Sequence, residues 1–363
     1  MALIVDIEKK LSGFSLKVNL QANCGIMALL GASGSGKSMT LKCIAGIEKP
    51  DRGYIELDGT ILYDSEKKIS LTPQKRRVGY LFQQYALFPN MTVRKNIACG
   101  LRSAEHGNKL SDRNSAADRT GGRDRIAEVI RQMHLEGLED KYPAQISGGE
   151  QQRTALARIL VNDPEVLLLD EPFSALDTHL RFRLERELRE TLRAFGKPVL
   201  LVSHDRDEVY RMADRIAVIK EGAIEVAGTK QEVFADPRTV DGARLTGCKN
   251  ISHIREVDGG RIFAEDWGIS LEVSREAAGK QYAGIRMHDL HILQQGSAGA
   301  NRIVCRVDEE IENPFSYTIM IRPLEAGPDR MPIGIELEKK LWMGIRNEKL
   351  TVYFPPEKIL LLE

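Results

Sequence analysis

Unbroken apolar runs of four or five residues recur along the first part of the chain, at 26–30, 166–169, 199–202 and 216–219. None of them alternates with polar positions, and a strand that is apolar throughout is one buried on both faces, as in a parallel sheet. Between these runs the spacing turns helical. Leu180, Leu184, Leu188 and Leu192 recur four apart with Arg and Glu filling most other positions, which predicts an amphipathic helix over 180–195 with a solvated charged face. Strands interleaved with helices predict an α/β fold. Beyond about Pro237 the helical period fades, and short β-like runs at 302–307, 316–321 and 350–354 predict a small all-β domain. Residues 102–125 are rich in Ser, Asn, Asp, Arg and Gly and read as a flexible surface insertion. The stretch ahead of residue 26 reads as short and irregular.

At 363 residues and 42% hydrophobic composition, the chain is long enough for one sizeable core and a smaller second one. Lys plus Arg and Asp plus Glu both total 52, so no general attraction to nucleic acid or anionic lipid is expected and any anion binding is local. Cys24, Cys43, Cys99, Cys248 and Cys305 form no CxxC pair, which points to reduced thiols rather than a zinc or redox motif. No run approaches the roughly 18 apolar residues of a membrane helix, and the first ten residues lack the pattern of a secretory signal. The expectation is a soluble chain whose work at a membrane requires a partner.

The chemistry starts after the first apolar run. Gly31-Ala32-Ser33-Gly34-Ser35-Gly36-Lys37-Ser38 fits the phosphate-loop pattern GxxxxGK[ST], with a strand before it and a helix-like run after it to Ile44. Glycines let such a loop turn its N–H groups inward, and the helix that follows aims its positive end at the same anion. Lys37 is expected at the β and γ phosphates and Ser38 on Mg²⁺. At the end of the run 166–169 stand two carboxylates, Asp170 and Glu171, which places charge at the edge of a sheet where open α/β folds bind ligands. Asp170 is expected to hold Mg²⁺ through water, and Glu171, facing the other way, to act as general base on the attacking water. His204 follows the run 199–202; alone, neither it nor Gln83 is diagnostic.

Ile146-Ser147-Gly148-Gly149-Glu150-Gln151-Gln152-Arg153 resembles the ABC ATPase signature, usually LSGGQ, with Ile for Leu and Glu150 for Gln. Together with the phosphate loop and the Asp170-Glu171 pair, the chain resembles an ABC transporter ATP-binding subunit of the importer type. The resemblance covers about residues 1–237, with a helical subdomain about 84–160, then a connecting segment 238–284 and a β-rich regulatory domain 285–363. It implies ATP and Mg²⁺ as cofactors and a head-to-tail homodimer, in which Ser147, Gly148, Gly149 and Glu150 close on ATP held by the twin. It assigns Gln83 to the Q-loop, among both the catalytic groups and the Mg²⁺ ligands, with Ser174-Ala175-Leu176-Asp177 as D-loop and His204 as γ-phosphate switch. Phe14 is the candidate for stacking on adenine.

The importer-like run Gln83-Gln84-Tyr85-Ala86-Leu87-Phe88-Pro89 implies membrane permease contacts at Tyr85, Leu87 and Phe88. Through the permease it also implies an extracytoplasmic solute-binding protein and a place on the inner face of the cell membrane. Residues 71–80 resemble the matching stretch of molybdate importers, and Ser297-Ala298-Gly299-Ala300-Asn301-Arg302 distantly resembles the start of their small oxyanion-binding, OB-like domain. The expected cargo is therefore an oxyanion such as molybdate, with sulfate, iron, polyamine or sugar as the alternative. A non-transport ABC ATPase on DNA or ribosomes would call for a coiled-coil insertion or a basic surface, and neither is evident in the sequence.

Overall fold

The computed structural model describes residues 1–101, 116–174, 178–257, 260–293, 299–327 and 329–363, with backbone alone at 116–121 and 178–180. Two units divide the chain, Met1–Lys230 and Gln231–Glu363.

In the first unit the strands are β1 Ala2–Lys10, β2 Ser15–Asn23, β3 Gly25–Leu30, β4 Arg52–Leu57, β5 Thr60–Asp64, β6 Ile69–Ser70, β7 Val78–Leu81, β8 Val166–Asp170, β9 Pro198–Ser203, β10 Arg215–Lys220 and β11 Ala223–Thr229. They form one sheet in the order β6-β5-β4-β1-β2-β11-β10-β3-β9-β8-β7. The four apolar runs predicted as doubly buried strands are β3, β8, β9 and β10, and they lie in its parallel part. Their register fixes the site. Leu30 pairs with Ser203, Asp170 with Val202, and Leu81 with Leu169, so the carboxyl ends of β3, β9, β8 and β7 emerge at one edge. The glycine loop, His204, Glu171 and Gln83 each follow one of these ends.

The region ahead of β3 is not irregular. β1 and β2 pair antiparallel from Ala2 opposite Asn23 to Lys10 opposite Ser15, and β2 alternates buried and exposed along its length. That period-2 pattern, SLKVNLQAN, marks a half-buried strand.

The helices of this unit are α1 Lys37–Ala45, α2 Val93–Ala98, α3 Ala116–Gln132, α4 Gly148–Leu160, α5 Thr178–Phe195 and α6 Arg206–Met212. On α5, Leu184, Leu188 and Leu192 are buried as the four-residue spacing requires. The flexible insertion expected over 102–125 needs correction where it is described: α3 begins at Ala116. Ile126, Val129, Ile130 and Met133 are buried at helical spacing, and this anchored half supports a helix that extends back into polar sequence. Residues 102–115 lie outside the described residues.

The helix behind the glycine loop is held at its far end by a residue with no sequence motif. Arg76, 2% exposed, donates from Nη1 to the Cys43 and Ile44 carbonyls and from Nε to Leu71 O, each at 2.8 Å. A cation on the last carbonyls of α1 complements the negative end of the helix and adds a donor to Cys43 O, which also accepts from Gly46 N at 3.2 Å.

The second unit contains α7 Lys230–Ala235, shared with the first at its opening residue, then α8 Val240–Leu245 and α9 Lys339–Ile345. Its strands are β12 Asn250–Val257, β13 Arg261–Ala264, β14 Ile269–Glu272, β15 Tyr282–Ile285, β16 His291–Leu293, β17 Arg302–Glu312, β18 Ser316–Pro323, β19 Ile333–Glu338, β20 Lys349–Tyr353 and β21 Leu360–Leu362. They make two five-stranded sheets, β14-β13-β12-β15-β21 and β16-β20-β17-β18-β19. The span 238–284 is therefore not a connecting segment. It supplies four strands of the first sheet, and Ile262, Trp267 and Leu271 share one apolar core with Ile319, Ile335 and Phe354. Asn250 ties the parts further, exchanging hydrogen bonds with Gly334 O at 2.7 Å and Gly334 N at 2.8 Å.

Candidate nucleotide site

The glycine loop crosses from β3 to α1 at the edge where the parallel strands end. Gly34 and Gly36 have φ of 81° and 102°, a left-handed conformation that side chains resist and glycine adopts freely. A methyl group on Gly31 would fall 2.4 Å from Ile219 O, and one on Gly36 2.7 Å from Leu16 Cδ1 and 3.4 Å from Phe14 Cε2. Phe14 thus lies against the loop, half-buried. Phe14→Ala is expected to weaken ATP binding by about 0.5–1.5 kcal/mol, read by calorimetry; unchanged affinity would remove Phe14 from the site.

Lys37 is buried and its ammonium donates to the Gly31 and Ala32 carbonyls, both at 2.8 Å. Burial lowers its pKa, and the Glu171 and Asp170 carboxylates work against that shift. Ser35 Oγ is buried without a hydrogen-bond partner, whereas Ala32, Ser33 and Gly34 are exposed. A buried hydroxyl with no partner costs free energy, and inside a loop of this shape an anion is the natural acceptor for it.

Ser38 Oγ donates to Asp170 Oδ1 at 2.7 Å, and Tyr80 OH donates to Asp170 Oδ2 at 2.9 Å. Tyr80 was not singled out by the sequence, although its place near the end of β7 and beside β8 is the signal for it. Burial and then Asp170 push its phenol above the usual range, so it remains a donor. Glu171 turns out of the sheet at φ 47°, its N–H bonded to Val202 O at 3.0 Å. Gln83 Nε2 donates to Glu171 Oε2 at 3.3 Å, and His204 Nδ1 lies 3.1 Å from Glu171 Oε1. Three strand ends thus bring one glutamine, one carboxylate and one imidazole together. Gln83 faces Glu171 rather than the Ser38–Asp170 pair. Ser174 bonds back to Glu171 O through N and Oγ, at 3.2 and 3.0 Å; Ala175, Leu176 and Asp177 lie outside the described residues.

Ser147 is the N-cap of α4, its hydroxyl accepting from Glu150 N at 3.4 Å. Glu150 closes a capping box: Oε2 accepts from Ser147 N at 2.7 Å and Oγ at 2.8 Å. These two bonds hold its carboxyl below the usual range. In this arrangement Glu150 is turned back on its own helix end, so the direct ATP contact expected of it is not the geometry seen here. Gly149 has a packing role, since a methyl there would stand 2.8 Å from Leu184 Cδ2.

The expected permease contacts divide. Tyr85 is 5% exposed and donates to Pro172 O at 3.1 Å; it is an internal anchor of the loop, because its φ of 56° turns the ring inward. Phe88 is 48% exposed and stacks under Arg158, 5.5 Å from the guanidinium carbon. Leu87 is intermediate. Arg158, on α4, also donates to the Tyr85 and Ala86 carbonyls at 2.9 and 2.7 Å, which ties the Gln83 loop to the helix that Ser147 caps.

A glycine loop backed by a helix, a Ser38–Asp170 pair and a polarised Glu171 define a nucleotide-hydrolysing P-loop protein. Residues 13–174 match the family model described as ABC transporter. The sulfate/thiosulfate import ATP-binding protein CysA of Caulobacter vibrioides is 39% identical over 296 residues, 81% of this chain and 83% of that protein. The spermidine/putrescine import protein PotA of Oleidesulfovibrio alaskensis is 36% identical over 361 residues, 94% and 89% of the two chains. The molybdenum import protein ModC of Paramagnetospirillum magneticum is 39% identical over 235 residues, 65% and 61%. Among solved structures, CbiO1 of Clostridium perfringens superposes with TM-score 0.54 and 28% identity, over 65% of this chain and 91% of that one. The chain belongs to the ABC transporter family, among its import ATP-binding proteins, and it hydrolyses ATP.

Among the described residues no helix is long and apolar enough to cross a membrane. Nor do three or more His, Cys, Asp or Glu cluster there to cage a metal. Mg²⁺ needs no such cage, since it is commonly held by one or two protein groups together with the phosphates.

Proposed function

We propose that two copies of this chain, head to tail, power a partner membrane permease that imports a small ion, with sulfate or thiosulfate the first candidate. The observation that carries the motor is the meeting of Gln83 and His204 on Glu171 beside the glycine loop. Lys37 leaves the Gly31 and Ala32 carbonyls for the β and γ phosphates, and Ser35 Oγ gains an acceptor. Glu171 takes the proton of the attacking water, with Gln83 and His204 fixing its two oxygens. Ser38 and Asp170 are the residues to hold Mg²⁺, which when bound neutralises charge on the phosphoryl oxygens. Ser147, at the end of α4, meets the ATP of the twin, where the helix N-terminus favours an anion. On this reading the exposed Phe88 is a side chain offered to the permease, and the chain works on the inner membrane face, reaching a solute-binding protein only through that partner.

Molybdate is less favoured than the sulfate and polyamine alternatives. The 235-residue ModC match is about the size of the first unit alone, whereas the PotA match runs to 361 residues. Asn301, in the stretch expected to hold an oxyanion, is fully engaged with backbone. It accepts from Glu272 N at 2.7 Å and donates to Glu272 O and Phe354 O at 2.8 and 2.9 Å. The second unit, with five strands in each sheet, is proposed as an OB-like regulatory module rather than a molybdate site. The length of the PotA match keeps a polyamine as the second reading. ATP-driven uptake of labelled sulfate, thiosulfate, molybdate and spermidine into vesicles carrying the whole complex separates them. Sulfate uptake is expected, and spermidine uptake alone would reverse the choice.

A further inference from the structure

His204 stands on the short link from β9 to α6, and that link is held by a clasp from α5. Arg181 Nη1 donates to Asp205 Oδ2 and Nη2 donates to Phe173 O, both at 3.2 Å. One guanidinium therefore joins the neighbour of His204 to a residue two places beyond Glu171. Asp205 also caps α6, its Oδ1 accepting from Asp207 N at 2.9 Å and Glu208 N at 3.1 Å, while its own N–H donates to Ser203 Oγ at 3.0 Å.

Beside this clasp lies a carboxyl that the hydrolytic scheme does not use. Glu208 is 4% exposed, and its Oε1 is buried with no hydrogen-bond partner. The groups around it are Arg181 and Glu185 from α5, Asp205 from the N-cap of α6 and Ser203 from β9, with Arg211 of α6 bonded to Glu185. The strand β3, which also packs on α6, carries no titratable side chain. Glu185 is 3% exposed and takes Arg211 in two bonds of 2.6 and 3.0 Å. Arg211 is thus committed to Glu185, and Arg181 to Asp205. A third carboxylate in this group has no cation of its own, and an uncompensated buried charge is costly. Ionised, Glu208 competes with Asp205 for Arg181, whose Nε is buried without a partner, and the clasp loosens.

We infer that Glu208 is a positioning residue for His204, acting as a neutral carboxylic acid that leaves Arg181 on Asp205. The inference rests on the reading of Glu171 and His204 as the hydrolytic site. Burial pushes the Glu208 carboxyl up to about 8; Ser203 and Arg181 pull it down, and Asp205 and Glu185 raise it further. Between the usual carboxylate range and about 8 the folded chain keeps a proton that the unfolded chain has released, so stability falls as pH rises across that window and levels off above it.

The test compares the full wild-type chain with Glu208→Gln and Glu208→Ala, in ATPase pH profiles and in thermal melts without nucleotide. Wild-type kcat is expected to fall once pH passes about 8, by up to about tenfold per pH unit. Glu208→Gln, a permanent mimic of the neutral acid, keeps the wild-type rate near neutral pH and loses that alkaline fall; Glu208→Ala is slower throughout. The melting temperature of Glu208→Gln rises relative to wild type from about pH 5 to about pH 8. Superimposable wild-type and Gln profiles in both measurements, or a Gln variant as slow as Ala, would overturn the inference. A wild type with no ATPase activity at any pH would instead overturn the reading of the site.

Discussion

Glu171→Gln binds ATP with near wild-type affinity and turns it over about 10²- to 10⁴-fold more slowly, the usual cost of removing a general base. Binding survives because the expected phosphate donors lie on other residues: the loop N–H groups, Ser35 Oγ, Lys37, His204 and Ser147 of the twin. The amide is isosteric, so Gln83 and His204 keep a partner near the atoms they now touch at 3.3 and 3.1 Å. Only the proton acceptor is lost. Single-turnover hydrolysis beside equilibrium ATP binding checks this, and a normal hydrolytic rate would require another base.

Lys37→Ala produces the opposite split. Its ammonium is the buried cation of the loop, and a charge-assisted hydrogen bond to phosphate contributes about 1.5–3 kcal/mol. ATP affinity is therefore expected to fall about 10- to 150-fold. Two carbonyls, buried Gly31 O and exposed Ala32 O, also lose their donor, so some loss of melting temperature is expected while the fold holds. Calorimetry of ATP binding beside thermal melting separates the effects. An unchanged affinity would take Lys37 out of the site, and loss of folding would make it structural.

What the sequence disclosed and what it hid have physical causes. The parallel strands were legible because burial on both faces leaves an unbroken apolar run, and the glycine loop, Asp170, Glu171 and His204 because each sits just beyond such a run; Gln83 and Ser147 stood out only through the family resemblance. The start of α3 was hidden, since polar residues 116–125 become helical only through the apolar stripe that follows them. Tyr85 looked like an exposed aromatic in a functional loop; the left-handed turn that buries it has no glycine to announce it. Strands β12 to β15 escaped notice for a different reason, being short and partly exposed, with β12 burying only two of its eight residues. Glu150 was legible as a departure from LSGGQ, and its bond to Ser147 follows from the Ser-x-x-Glu spacing of a capping box, a signal the signature motif overshadowed. The Arg181 clasp joins residues 173, 181 and 205 and carries no motif, so only the fold brings it into view.

In the proposed dimer, ATP is enclosed between loop 31–38 of one copy and Ser147 of its twin. A crystal structure of the Glu171→Gln chain grown with ATP tests it most directly. Two nucleotides are expected at a twofold interface, each with its phosphates touching Lys37 of one copy and Ser147 of the other. Nucleotide held by one copy alone, with Ser147 facing solvent in both, would contradict it.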